Sequence, residues 1–93
     1  MAVRIRLAGP LRAYAGGAAQ VVLPEPAATV AEALARLGER HPGVRDRVLD
    51  EQGEIRRHVN VFVGTENVRF LHGLQTPLPE SADLHLLNAV SGG

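Results

Sequence analysis

The 93-residue sequence contains no cysteine and no lysine. Without cysteine the chain cannot form a disulfide, a thiolate metal site or a cysteine nucleophile. Without lysine, copies of this protein cannot be joined to one another through lysine side chains. Ten arginines balance ten acidic residues, and this net charge of zero argues against a general nucleic-acid binder or a membrane-surface binder.

Aromatic residues and long hydrophobic runs are also scarce. Aromatics make up 3% of the chain, too few for a platform on which bases could stack. The apolar runs span only a few residues, so we expect neither a membrane span nor a signal peptide, and we expect the protein in the cytoplasm. The hydrophobic content of 45% and the length predict one small folded domain.

Alternation of apolar and polar residues predicts the strands of a sheet. Gly16-Gly17 supplies a turn that would join the first two strands in a hairpin. The strongest alternation is Val59-Asn60-Val61-Phe62-Val63, rich in β-branched residues. The predicted strands cover residues 3–7, 20–23, 59–63, 68–70 and 83–88.

One main helix is predicted to begin at Thr29, because Thr29 and Glu32 have the spacing of a capping box. Val30, Ala33, Leu34 and Leu37 follow at helical spacing, and Pro42-Gly43 is expected to end the helix. We expect irregular structure at residues 11–15 and a further short turn at 44–49. The loop at 71–79 is expected to tuck Leu74 and Leu78 inward.

The order of elements, β, β, α, β, β, β, predicts a two-layer α+β domain with a mixed sheet of four to five strands under one main helix. This order is compatible with the β-grasp architecture, in which the first and last strands lie parallel at the sheet centre, although spacing alone does not select it. We expect the domain to span residues 1–89 and residues 90–93 to form a flexible tail.

No catalytic or metal-binding residues are predicted. His41, His58, His72 and His85 are scattered over four elements without the spacing of a metal site. The two serines lack the context of an activated nucleophile.

The chain ends in Gly92-Gly93, which is open to two interpretations. The first is an uninformative frayed terminus. The second is a reactive terminus, because glycine has no Cβ and two glycines can enter a narrow channel. Residues 90–93, fully extended, would project the terminal carboxylate by roughly 13 Å.

Seven segments carry the most distinctive sequence of the chain: residues 11–12, 16–17, 29–30, 59–63, 66–70, 73–78 and 86–93. These segments resemble the ubiquitin-like sulfur carriers of the MoaD/ThiS family, and the likeness covers nearly the whole chain. Within that family, the sequence is most similar to the carrier that serves cysteine biosynthesis. Two departures are the turn Glu80-Ser81-Ala82-Asp83, where an acidic-glycine turn is usual, and Asn88, where many members have proline.

The resemblance implies a β-grasp sulfur carrier that is not itself an enzyme and binds no cofactor. An E1-like adenylating and sulfurylating enzyme would use ATP to activate Gly93, which would become a thiocarboxylate, and Gly92 would permit access. The sulfur would pass to a synthase, either a pyridoxal-phosphate cysteine synthase or the large subunit of molybdopterin synthase. Alternatives are a molybdopterin synthase small subunit, a protein modifier conjugated through Gly93, and a binding module with an inert tail.

Partner recognition is assigned to the sheet face that the helix leaves open. If Val59, Val61 and Val63 point toward the helix, Phe62 points away. In the last strand, Leu84 and Leu86 would point inward and Leu87 away. Phe62, Leu87 and Val90 are the predicted partner-binding residues.

Overall fold

The computed structural model describes residues 2–88. Its sheet has five strands in the order β2-β1-β5-β3-β4. The first and last strands, β1 and β5, pair in parallel at the centre, and all other pairs are antiparallel. This topology confirms the β-grasp fold class. The strands are β1 (Val3–Leu7), β2 (Gln20–Leu23), β3 (Val59–Val63), β4 (Glu66–Asn67) and β5 (Ala82–Asn88).

The alternation in sequence becomes a covered face and an open face of the sheet. In β1, Val3, Ile5 and Leu7 are buried, whereas Arg4 and Arg6 are exposed. The same two-residue period buries one set of side chains in β3 and β5. The apolar core therefore lies between the sheet and the helices on its covered face.

The main helix, α2 (Val30–Arg40), has the predicted start. Thr29 Oγ1 accepts a hydrogen bond from the backbone N–H of Glu32 at 3.2 Å. The Glu32 carboxylate reaches back and accepts from the N–H of Ala28 at 3.3 Å. This reciprocal cap satisfies two N–H groups that lack helical partners, and the buried side of α2 consists of Val30, Ala33, Leu34 and Leu37.

Two further helices correct the expectation of irregular structure. Residues 11–15 are helical: α1 (Gly9–Arg12) continues into a 3-10 turn at Ala13–Ala15. The short turn expected at 44–49 is a helix of seven residues, α3 (Pro42–Val48). Each of these helices has a proline in its first turn. The backbone N–H that proline lacks would have no helical partner at that position, so its absence does not destabilise the helix.

The strand predicted at residues 68–70 was wrong. Strand β4 consists of Glu66–Asn67, and Val68–Phe70 form a 3-10 helix. Asn67 caps this helix, because its side-chain oxygen accepts a hydrogen bond from the N–H of Arg69 at 2.9 Å. The local cap diverts the chain from the sheet.

The loop at 71–79 packs inward as expected. Leu74 and Leu78 are partly buried against the core. Thr76 is buried, and its hydroxyl accepts from the N–H of His72 at 3.1 Å, while its carbonyl accepts from the N–H of Val30 at 3.1 Å. These bonds fasten the loop to the start of α2.

No helix within residues 2–88 is long and apolar enough to cross a membrane. The division between a domain at 1–89 and a tail at 90–93 stays a prediction, because residues 89–93 lie outside the described part of the chain.

Candidate functional site

The centre of the open sheet face carries the two predicted docking residues that the structure describes. Phe62 lies opposite His85 and Leu87 lies opposite Asn60, so Phe62 and Leu87 are diagonal neighbours across β3 and β5. Both side chains are half-buried. The predicted orientation of these two strands is therefore confirmed, while the docking role of the two residues stays a prediction.

Polar residues surround this apolar pair. On the β4 side, the Asn67 side-chain amide donates to the Asn60 side-chain oxygen at 3.1 Å. On the β1 side, Arg4 forms an ion pair with Asp83 at 3.7 Å. A small apolar centre with a polar rim is the common anatomy of transient protein interfaces.

The last described residue of β5, Asn88, pairs with Val59 at the start of β3. On the other side of β5, Leu86 pairs with Leu7 at the end of β1. Val90, Gly92 and Gly93, three of the predicted site residues, lie outside the described residues. The described part of β5 therefore ends beside the end of β1 and the start of β3.

Two arginines flank that point. Arg12 Nε donates to the carbonyl oxygen of Leu7 at 3.0 Å. Arg69 Nη2 donates to the carbonyl oxygens of Arg57 and Val59, both at 3.2 Å. Both guanidinium groups are consequently held beside the strands that border β5.

Phe70 is the functional candidate that sequence reasoning missed. Its side chain is 82% exposed, although a strand prediction at 68–70 gave no reason to expect an aromatic residue there to face solvent. It directly follows Arg69, which binds the carbonyl of Val59. Phe70 is therefore an exposed aromatic residue adjacent in sequence to an arginine that is hydrogen-bonded to the start of β3.

Within residues 2–88, no group of three or more histidine, aspartate or glutamate side chains is placed to hold a metal ion.

A model of the ThiS family matches residues 5–93. The chain belongs to the ThiS family. This membership confirms the MoaD/ThiS resemblance drawn from the motifs, and the match extends over almost the whole sequence.

Similar proteins agree with this assignment. The sulfur carrier protein CysO of Mycobacterium tuberculosis is 30% identical over 95 aligned positions that cover all of both chains. A chain in the crystal structure of the Amycolatopsis orientalis BexX/CysO complex is 34% identical, with a TM-score of 0.87 over 98% of this chain and 99% of that one. SAMP1 of Haloferax volcanii is 30% identical, with a TM-score of 0.84 over the full length of both chains.

Proposed function

We propose that this ThiS family protein is a sulfur carrier that serves cysteine biosynthesis. The observation that carries the proposal is the full-length similarity to the sulfur carrier protein CysO. The β-grasp topology supports it, because β5 lies at the sheet centre, where pairing with two strands anchors the segment that leads to Gly93.

The proposed chemistry takes place at the α-carboxylate of Gly93. An α-carboxylate is ionised at neutral pH and resists nucleophiles until it acquires a leaving group. An E1-like partner would transfer AMP from ATP to the carboxylate and release pyrophosphate. Hydrosulfide from a sulfur donor would then attack the carbonyl carbon, which forms a C–S bond, breaks the C–O bond to AMP and leaves a thiocarboxylate, AMP and a proton.

The chain acts in this scheme as a substrate of partner enzymes. Gly92 and Gly93 would enter the partner's channel, since neither carries a Cβ. The open sheet face, with Phe62 and Leu87, would dock the partner together with Val90. ATP is consumed by the activating enzyme, and no cofactor resident in this chain forms part of the proposal.

The test is a reconstitution with the E1-like enzyme encoded in the same genome, ATP, magnesium and a sulfide source. The intact mass is expected to rise by the difference between sulfur and oxygen. The matched control is the same protein with one alanine added after Gly93. The C-terminal residue of this control is alanine instead of glycine. No mass change in the unextended protein, with an enzyme shown to adenylate another carrier, would contradict the proposal.

The acceptor is identified by a second incubation. The thiocarboxylated protein is mixed with a pyridoxal-phosphate cysteine synthase or with the large subunit of molybdopterin synthase. With the first partner and a serine whose hydroxyl carries a leaving group, the thiocarboxylate sulfur would displace that group and join the cysteine skeleton to Gly93. Hydrolysis of this acyl–cysteine bond would then release cysteine and return the original mass. This outcome is expected only with the cysteine synthase. Sulfur transfer only to the second would make the chain a molybdopterin synthase small subunit instead.

A protein modifier is the second candidate, and the similarity to SAMP1, a small archaeal modifier protein, favours it. In this case the activated Gly93 would form an amide bond with a lysine of a target protein. Lysine-linked chains of this protein are excluded, because the sequence contains no lysine. Covalent adducts on other proteins, detected after trypsin as target peptides that carry residues 70–93 on a lysine, would establish this candidate.

A further inference from the structure

Arg12 and Arg69, which lie beside the strands that border β5, carry positive charges that form no ion pair with a described acidic side chain. The ion pairs within residues 2–88 are Arg4–Asp83 and Arg36–Glu32, and neither involves Arg12 or Arg69. Backbone carbonyls fix the two guanidinium groups but leave their full charge in place. Glu54 lines the same groove as Arg69 without forming an ion pair with it.

The two anchored groups stand on opposite sides of the point where β5 ends. Leu7, which holds Arg12, belongs to β1, and Val59, which holds Arg69, belongs to β3. Strands on either side of a common neighbour lie roughly 10 Å apart. The positive charges therefore lie on the two sides of the described end of β5.

We propose that Arg12, Arg69 and Phe70 form a surface, here called the exit surface, that binds the acidic rim of a partner protein's channel. The inference rests on the proposed function, because it assumes that a partner enzyme admits the end of this chain. A net charge of zero provides little long-range attraction, so a local positive pair would orient the encounter.

The spacing and composition of the exit surface favour a protein over a small anion. Several carboxylates on a protein surface can meet two guanidinium groups that are hydrogen-bonded to strands roughly 10 Å apart. Phe70, at 82% exposure, adds an apolar contact, and aromatic residues and arginine are the types enriched at the centres of protein interfaces.

In an extended conformation, the residues after Asn88 would separate this contact from the reacting group. Five residues follow Asn88, and a fully extended segment of that length spans roughly 16 Å. An adenylate on Gly93 inside a channel would thus lie beyond arginine side chains anchored at the ends of β1 and β3. The exit surface is assigned to recognition of the partner's rim, and the chemistry is left to the partner.

The experiment compares the double variant Arg12→Gln/Arg69→Gln with wild type in binding to the E1-like enzyme from the same genome. Association rates are measured by stopped flow at low and high salt. We expect about tenfold slower association of the double variant at low salt, and a difference that shrinks at high salt, as for charges at an interface rim.

Two further variants separate charge from structure. Arg40→Gln is the matched control, since Arg40 also donates to a backbone carbonyl, that of Val22 at 3.3 Å, at the distant edge strand. We expect it to associate like wild type. The double variant Arg12→Lys/Arg69→Lys keeps both charges while altering the same hydrogen bonds, and it is expected to retain fast, salt-dependent association.

The outcomes distinguish this inference from the proposed function. Equal rates for wild type and the glutamine double variant, with wild type gaining sulfur, would overturn the exit surface alone. An equal loss in Arg40→Gln, or no recovery with the lysine variant, would also overturn it. A slowed double variant, with a wild type that binds but gains no sulfur, would support the exit surface and contradict sulfur carriage. Failure of wild type to bind would overturn both.

Discussion

The two faces of the central strands differ in what they do, although neighbouring residues supply both. On the covered face, Val61, Leu84 and Leu86 are at most 1% exposed and pack in the core. On the open face, Phe62 and Leu87 are only half-buried, and polar side chains surround them. One register of side chains therefore stabilises the fold, while the other is available for recognition.

The largest expected effect is on the covered face. Leu86→Ala leaves a cavity at a fully buried position and is expected to lower the free energy of unfolding by about 2–5 kcal/mol. Leu87→Ala, one residue along on the open face, is the matched control and is expected to cost about 1 kcal/mol or less. Urea unfolding of both variants measures the contrast. Similar losses in the two variants would contradict the division between the faces.

The open face gives the next largest effect, on binding instead of stability. Phe62→Asp places a charge at the centre of the proposed docking face and is expected to weaken binding to the E1-like enzyme at least about 30-fold. The control is Val22→Asp, which changes an apolar residue 46% exposed on edge strand β2. Calorimetric titration measures both variants, and wild-type affinity of Phe62→Asp for the E1-like enzyme would contradict the assignment.

The helical layer on the covered face can be destabilised by a substitution outside the sheet. Thr29→Ala removes the hydroxyl that caps α2 and is expected to cost about 1 kcal/mol in the free energy of unfolding. Thermal unfolding measures this cost, while binding to the E1-like enzyme at a temperature well below the transition is expected to stay unchanged. A binding defect there would show that the two faces are not independent.

The smallest effect is expected from the ion pair on the open face. Arg4 and Asp83 are 49% and 56% exposed, so solvent screens their attraction. Asp83→Asn is expected to change the free energy of unfolding by about 0.5 kcal/mol or less, measured by urea unfolding. A loss above about 1 kcal/mol would indicate a structural role for this polar contact.

The alternation of apolar and polar residues was sufficient to predict which face of each central strand is buried. Leu84 and Leu86 are buried as expected, because a one-residue shift in register would expose both. The cap at Thr29 was also readable from sequence, since its hydrogen bonds are local and depend on the spacing to Glu32.

The failures have equally specific causes. Pro10 and Pro42 stand in the first turns of α1 and α3, and their conformation suits a helix start as well as a break. Residues 68–70 alternate like a strand, but the Asn67 side chain captures the N–H of Arg69 and turns the chain. No local sequence pattern predicts the exposure of Phe70. The positions of Arg12 and Arg69 on the two sides of β5 also depend on contacts between segments that are distant in sequence.

We propose that Gly93 carries sulfur, and the mass of the peptide that contains Gly93 tests this proposal directly. No arginine or lysine follows Arg69, so trypsin releases residues 70–93 as one peptide. After incubation with the E1-like enzyme, ATP, magnesium and sulfide enriched in a heavy sulfur isotope, tandem mass spectrometry is expected to place one labelled sulfur atom on Gly93. An unlabelled terminus, or label on another residue, would contradict the account.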